Sequence, residues 1–202
     1  EIQVIPNFID SKLYKNKSDQ ELRRSFAKDS EKIIIHISNF RKVKRVQDVL
    51  KVFAKIKKKI PAKLLLIGDG PERLEMEQLS RDINLCDHIR FIGKLKAVEK
   101  VLSVSDLFLL PSETESFGLV ALEAMACKVA VISSNSGGLP EVNKDGKTGF
   151  LLDVNDIKGM ARKALYLLED EEILQQFKMC AYKHSIHFDL PNILPLYEKI
   201  YE

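Results

Sequence analysis

The sequence predicts an α/β fold in which helices cover both faces of a parallel sheet. Short apolar runs, such as those at residues 33–38 and 107–110, alternate along the chain with longer amphipathic segments. Continuous apolar runs of this length are typical of parallel strands that are buried on both faces. The alternation of strands with helices is the pattern of βαβ crossovers. With 202 residues, 45% of them hydrophobic, the chain is long enough to bury the core of one such domain.

Turn residues set the limits of the predicted elements. The first long helix ends at Pro61, which cannot continue it. The strand at 64–67 ends in Gly68 and Gly70, which permit a sharp turn, and Pro71 suits the first turn of the next helix. Strands are predicted at residues 2–6, 33–38, 64–67, 89–92, 107–110, 129–133 and within 146–154, and helices at 20–27, 45–60, 72–83, 98–104, from 117 or 118 to 126, from 156 onward and over 173–187. Pro191 is expected to break the last helix before a segment at 193–201.

Ligands of such folds bind beyond the carboxyl ends of the strands. The segments that follow the predicted strands should therefore lie along one edge of the sheet, at residues 38–44, 68–71, 93–96, 111–118 and 134–140.

The turn at 111–118 carries the residues with the clearest chemistry. Glu115 and Glu123 are separated by seven residues, and the turn between them is followed by a helix. If that helix begins near Phe117 or Gly118, the N–H groups of Ser116, Phe117 and Gly118 lack intrahelical partners and form a site for a phosphate. The carboxylates would then bind hydroxyl groups of the same ligand. The alternative is that both glutamates are solvated, as is common at a βα turn.

The loop after the first central strand is basic and supplies candidate cations. Arg41, Lys44 and Arg45 would match phosphate oxygens if they face the Glu115 turn. The alternative is a basic turn that faces water.

The string PSETESFGLVALEAMA at residues 111–126 resembles the E-x7-E motif of family 4 retaining glycosyltransferases with the GT-B fold. The string IPNFID at residues 5–10 is similar to the segment between the two domains of these enzymes. The resemblance implies that the chain is the Rossmann-like C-terminal half of such an enzyme. It divides the chain into an interdomain strand and linker at 1–12, a donor-binding domain at 13–187, and a terminal helix at 188–202 that packs on an N-terminal acceptor domain absent from this chain.

The resemblance also implies roles for individual residues. Glu115 would serve the donor sugar and Lys44 the diphosphate. The family has an arginine where this chain has Asn39, so either Arg41 replaces it or the clamp has one cation fewer. These three residues, Glu115, Lys44 and Arg41, are the candidate catalytic residues. The candidate donor-binding residues are Glu123 (for the ribose), Ser116, Phe117, Gly118, Leu119, Asn39, and Lys94 and Leu95 (for the base). Transfer would proceed with retention at the anomeric carbon.

Further strings, including SNFR at 38–41 and GGLPE at 137–141, resemble a group within the family that transfers N-acetylglucosamine from UDP-N-acetylglucosamine to L-malate in bacillithiol synthesis. Three alternatives remain: a family member with another donor or acceptor, a non-catalytic module that binds nucleotide-sugars, and a dinucleotide-dependent oxidoreductase. The last is disfavoured because no G-x-G-x-x-G follows the strand at 33–38.

Composition argues against several other classes of protein. The net charge of +3 is too small to indicate nucleic acid, and no run of about 18 apolar residues predicts a membrane span. Because no D-x-D occurs, we expect metal-independent chemistry without a cofactor. Three widely spaced cysteines and a start at Glu1 without a leader predict a cytoplasmic piece of a longer protein. Apolar residues in the last segment leave a homo-oligomer open.

Overall fold

The sheet is parallel and its strand order reverses beside the central strand. The computed structural model describes residues 4–14 and 19–201. Six parallel strands of this part of the chain form one sheet in the order β3-β2-β1-β4-β5-β6. The strands are β1 (Lys32–Ile37), β2 (Ala62–Ile67), β3 (Ile89–Gly93), β4 (Leu107–Leu110), β5 (Ala130–Ser134) and β6 (Gly149–Leu152). The α/β prediction is confirmed.

Helices connect consecutive strands and cover both faces of the sheet. They are α1 (Gln20–Phe26), α2 (Val46–Lys57), α3 (Arg73–Asp82), α4 (Val98–Leu102), α5 (Leu119–Ala126), α6 (Leu139–Val142), α7 (Ile157–Leu168), α8 (Glu171–Ser185) and α9 (Leu190–Tyr201). Short 3₁₀ turns lie at Lys42–Lys44, Cys86–His88 and Ile186–Phe188. No helix of the described residues is both long and apolar enough to cross a membrane.

Two hydrophobic cores explain why the strands are apolar without alternation. Side chains of successive strand residues point to opposite faces of a sheet. Ile34 of β1 belongs to the core under α2, α3 and α7, whereas Ile33 and Ile35 belong to the core under α5. All three are fully buried. Helix α8 contributes to both cores through Leu174 and Ala181, so it spans the edge of the sheet.

The predicted strand at 2–6 is wrong for the residues that the structure describes. Residues 1–3 lie outside them, and residues 4–8 have no regular secondary structure. Val4 is exposed and belongs to none of the six strands of the sheet. Only Ile9 pairs, in an isolated bridge with Asp189.

The end of the chain also differs from the prediction. The break lies at Asp189, whose backbone is extended, and Pro191 falls in the first turn of α9 rather than ending a helix. The first turn tolerates proline because its N–H groups have no helical partner. Ile193 is buried within this chain, while Leu194, Leu196 and Ile200 are exposed. That these exposed residues meet a further domain stays a prediction.

The loops at the carboxyl ends of the strands are in contact, as expected. The Ser38 N–H donates to the carbonyl of Ile67 at 3.0 Å, and the Gly68 N–H donates to that of Gly93 at 2.9 Å. The Glu113 N–H reaches the carbonyl of Val43 at 2.8 Å, which joins the first loop to the fourth. The loop edge is therefore one continuous surface.

Candidate active site

The turn between β4 and α5 ends at a glycine that no other residue could replace without strain. Gly118 has φ +95° and caps α5, and a Cβ at this position would lie 2.7 Å from the side chain of Leu139. Helix α5 begins at Leu119, later than predicted, because the left-handed Gly118 interrupts the helical backbone. Among the described residues, the N–H groups of Leu119 and Val120 have no backbone partner. With Gly118 as the N-cap, the N–H groups at the start of the helix are those of Gly118, Leu119 and Val120, so of the predicted donors Ser116 and Phe117 lie before the helix.

The loop between β5 and α6 packs against the turn between β4 and α5. The Gly138 N–H donates to the carbonyl of Glu115 at 2.8 Å. Backbone atoms of Glu115 and Ser116 lie so close to Gly137 and Gly138 that any side chain there would collide with them. The two glycines thus allow the loop after β5 to fix the position of the loop after β4.

Lys44 and Glu115, which the sequence predicts to face one ligand, form an ion pair across the cleft. The Lys44 Nζ lies 2.6 Å from Glu115 Oε1, which also accepts a hydrogen bond from Ser112 Oγ at 2.9 Å. Both side chains are largely buried. Glu115 Oε2 has no hydrogen-bond partner among the described residues, and the ammonium group has two further protons to donate. One ligand could therefore contact both the ammonium group of Lys44 and the free carboxylate oxygen of Glu115.

The other basic residues of the first loop are not in the cleft. Arg41 is exposed to solvent. Arg45 has a left-handed backbone, with φ 51°, and its guanidinium group binds Asp48 at 2.6 Å and Asn155. Its place in the predicted clamp is wrong because these partners hold it on the side of α2.

Glu123 has a neighbour that the sequence did not identify. The Tyr14 hydroxyl donates to Glu123 Oε1 at 2.8 Å. Burial raises the pKa of Glu123, and the charge of Glu99 adds to this, while the hydrogen bond from Tyr14 opposes it. The two residues are 109 positions apart, so neither spacing nor a local motif could have indicated the pair.

A buried histidine lies directly behind the cleft. His36 Nδ1 lies 2.8 Å from the carbonyl of Leu109, and Nε2 lies 2.8 Å from Ser38 Oγ. Because a carbonyl only accepts, Nδ1 carries the proton and the Ser38 hydroxyl donates to Nε2. The ring lies between Phe40 and Phe108. Burial lowers the pKa of His36 to about 4, so the ring is neutral and fixes the Ser38 hydroxyl at the cleft wall.

These groups surround a cleft of about 410 Å³ at the carboxyl edge of the sheet. The cleft brings together eight of the eleven predicted site residues: Asn39, Lys44, Glu115, Ser116, Phe117, Gly118, Leu119 and Glu123. It is also lined by Asn7, Ile37, Ser38 and Val120, which the sequence did not single out. Arg41, Lys94 and Leu95 do not line it, and all three are exposed. No group of three or more histidine, cysteine or acidic side chains suited to a metal ion occurs within 4–14 and 19–201.

Comparison with known proteins agrees with this geometry. The family described as "Glycosyl transferases group 1" matches residues 18–184, which is most of the chain. This chain belongs to that family. The chain is 48% identical, over its whole length, to N-acetyl-alpha-D-glucosaminyl L-malate synthase of Bacillus anthracis, of which it covers 53%. It therefore spans about half the length of this relative.

Solved structures show the fold. HepE of Anabaena, crystallised with UDP and glucose, superposes with a TM-score of 0.90 at 24% identity, over 99% of this chain and 56% of that one. Sucrose-phosphate synthase of Thermosynechococcus elongatus superposes with a TM-score of 0.89 at 26% identity, over 98% and 51%. The chain thus has the Rossmann-like architecture found in one half of GT-B enzymes.

Proposed function

We propose that this chain is the donor-binding half of a retaining glycosyltransferase that transfers N-acetylglucosamine from UDP-N-acetylglucosamine to L-malate in bacillithiol synthesis. The observation that carries the proposal is the pairing of Lys44 with Glu115 at the N-terminus of α5, within one cleft. A nucleotide-sugar has the matching groups, since its diphosphate is anionic and its sugars present hydroxyls. The 48% identity to the Bacillus anthracis synthase supports the choice of donor and acceptor.

The diphosphate is placed between Lys44 and the start of α5. When the bond between the sugar and the diphosphate breaks, negative charge develops on the departing UDP. The Lys44 ammonium group and the N–H groups of Leu119 and Val120 are fixed donors that stabilise this charge. The chain itself supplies these positive groups, so the proposed reaction is metal-independent.

The carboxylates orient the two sugars. Glu115 Oε1 is held by Lys44 and Ser112, and Oε2 accepts from a hydroxyl of the transferred sugar. Glu123, further along α5, accepts from the ribose hydroxyls. Asn39 stands where the family has an arginine, and Arg41 does not reach the cleft. Lys44 is then the cation on which the diphosphate depends most.

The acceptor is held mainly by the part of the enzyme that this chain lacks. The proposal therefore separates into two tests, one of donor binding by this chain and one of turnover by the protein that contains both halves. Isothermal titration of the chain with UDP, GDP and UDP-N-acetylglucosamine should give binding to both uridine ligands and weaker binding to GDP. Product formation from UDP-N-acetylglucosamine and L-malate tests the reaction.

Three results would count against the proposal in different ways. Absence of uridine nucleotide binding by the folded chain would overturn donor binding. Preference for GDP would overturn the choice of base. Turnover with another acceptor but not with L-malate would leave a family member with a different acceptor.

A further inference from the structure

The side chain of Tyr14 occupies a position that the proposed reaction does not use directly. It does not line the cleft, yet its hydroxyl lies 2.8 Å from Glu123 Oε1. A carboxylate held at one oxygen presents the other in a defined direction, whereas an unheld carboxylate rotates among rotamers. We propose that Tyr14 is a positioning residue, which holds Oε1 of Glu123 so that Oε2 of the same carboxylate meets the ribose hydroxyls. This inference rests on the proposed role of Glu123 toward the ribose.

Several contacts hold Tyr14 in place independently of the ligand. Its carbonyl accepts a weak hydrogen bond from Cys127 Sγ at 3.9 Å, and its ring packs against the core under α5. Three residues earlier, Ser11 binds the Asp189 carboxylate through its N–H at 2.9 Å and its hydroxyl at 2.7 Å. The segment that carries Tyr14 is therefore anchored at both Ser11 and Tyr14 itself.

The surroundings of Glu123 oppose its charged form, and the hydrogen bond from Tyr14 acts against them. Burial and the negative charge of Glu99 on α4 both raise the pKa of Glu123. The Cys127 thiol at the end of α5 adds no further negative charge, because burial raises its pKa to about 12. The hydroxyl of Tyr14 lowers the pKa of Glu123 and so favours the charged form, which can accept from two hydroxyls.

The test compares two nucleotides on the parent chain and three variants. Tyr14→Phe removes the hydroxyl and keeps the ring, so the packing is retained. Tyr166→Phe is the matched control, because Tyr166 is about half exposed and lies outside the cleft. UDP is compared with 2′,3′-dideoxyuridine diphosphate, which lacks both ribose hydroxyls. Glu123→Ala measures the role of the carboxylate itself.

We expect Tyr14→Phe to weaken UDP binding about tenfold, as for loss of a hydrogen bond to a charged group. It should leave the affinity for the dideoxy nucleotide unchanged, and Tyr166→Phe should bind both as the parent does. The pH below which UDP binding is lost should also move upward in Tyr14→Phe, because Glu123 then takes up a proton more readily.

The possible failures are distinguishable. If the parent does not bind UDP, or if Glu123→Ala binds it equally well, the proposed ribose site is overturned and this inference with it. If Glu123→Ala weakens binding but Tyr14→Phe does not, the proposed function stands and the inference is wrong. Equal weakening of both nucleotides by Tyr14→Phe would reduce Tyr14 to a packing residue and would also overturn the inference.

Discussion

Replacing Gly137 by alanine should displace the turn that carries Glu115, although Gly137 itself does not line the cleft. Gly137 has φ +55°, and an added Cβ would lie 2.0 Å from the Glu115 carbonyl oxygen and 3.0 Å from its carbonyl carbon. Both contacts are to backbone, so a side-chain rotation cannot relieve them. Either the loop after β5 or the turn that carries Glu115 has to move.

Two costs add up in this variant. A left-handed backbone costs a residue with a Cβ about 1 kcal/mol relative to glycine, and forcing atoms into a filled space costs about 1–3 kcal/mol. The expected loss is therefore about 3 kcal/mol of the free energy of unfolding. For a chain of this length that corresponds to a fall in Tm of about 6–12 °C.

Gly146→Ala provides the control that separates the two costs. Gly146 also has a positive φ, +69°, but a Cβ there would meet no atom within 4 Å. It lies before β6, at the opposite edge of the sheet from the cleft. We expect Gly146→Ala to lower the free energy of unfolding only by the cost of the left-handed backbone, about 1 kcal/mol, and the Tm by about 2–4 °C.

Thermal unfolding followed by circular dichroism gives the two Tm values, and calorimetric titration gives the UDP affinity of each variant at a temperature where both are folded. Gly137→Ala should bind UDP more weakly than the parent because the Glu115 turn is displaced, while Gly146→Ala should bind as the parent does. If the two variants have equal Tm values and equal affinities, the contact between the loops does not constrain the site.

Three other predictions follow from single side chains. Lys44→Met should weaken UDP binding about tenfold or more while uridine binding is unchanged, since only the diphosphate loses a charged partner; equal losses in calorimetry would contradict this. His36 has a lower pKa in the folded chain than when unfolded, so the free energy of unfolding should fall by about 2 kcal/mol as the pH drops from 6.5 to 5.0. Urea titrations should show this fall reduced in His36→Gln, and an unchanged fall would exclude His36 as its source. Asn143→Ala should lower the free energy of unfolding by about 2–4 kcal/mol, because the buried amide of Asn143 donates to Ser133 Oγ at 2.9 Å and to the Phe150 carbonyl at 3.1 Å. A fall in Tm below about 2 °C would show that these hydrogen bonds do not stabilise the fold.

The fold was predictable because its signals are local. An apolar strand, a turn and an amphipathic helix each occupy consecutive residues, and the order of these elements restricts the sheet to a few topologies. The positions of the E-x7-E turn and of Lys44 at the carboxyl edge of the sheet were predictable for the same reason, since each lies in a loop that follows a strand. Errors arose at the chain ends, where Val4 and Pro191 depend on which neighbours are present rather than on their own sequence.

The missed residues depend on distant contacts. His36 looked like one more member of an apolar strand, and its role appears only because Leu109, 73 positions away, presents a carbonyl to it. Tyr14 and Asn143 likewise gain their partners through the fold. Arg41 illustrates the opposite case, in which residue type indicated a phosphate ligand but the extended backbone leaves the side chain in solvent.

The pairing of Ile9 with Leu190 has a mechanical consequence. The Leu190 N–H donates to the carbonyl of Ile9 at 2.8 Å, and the Ile9 N–H donates to that of Phe188 at 2.9 Å. The segment around Ile9 and the segment at 188–190 are therefore joined by backbone hydrogen bonds at one place. A displacement of this junction would therefore be felt in the cleft wall, because the ring of Phe188 contacts that of Phe117, which lines the cleft.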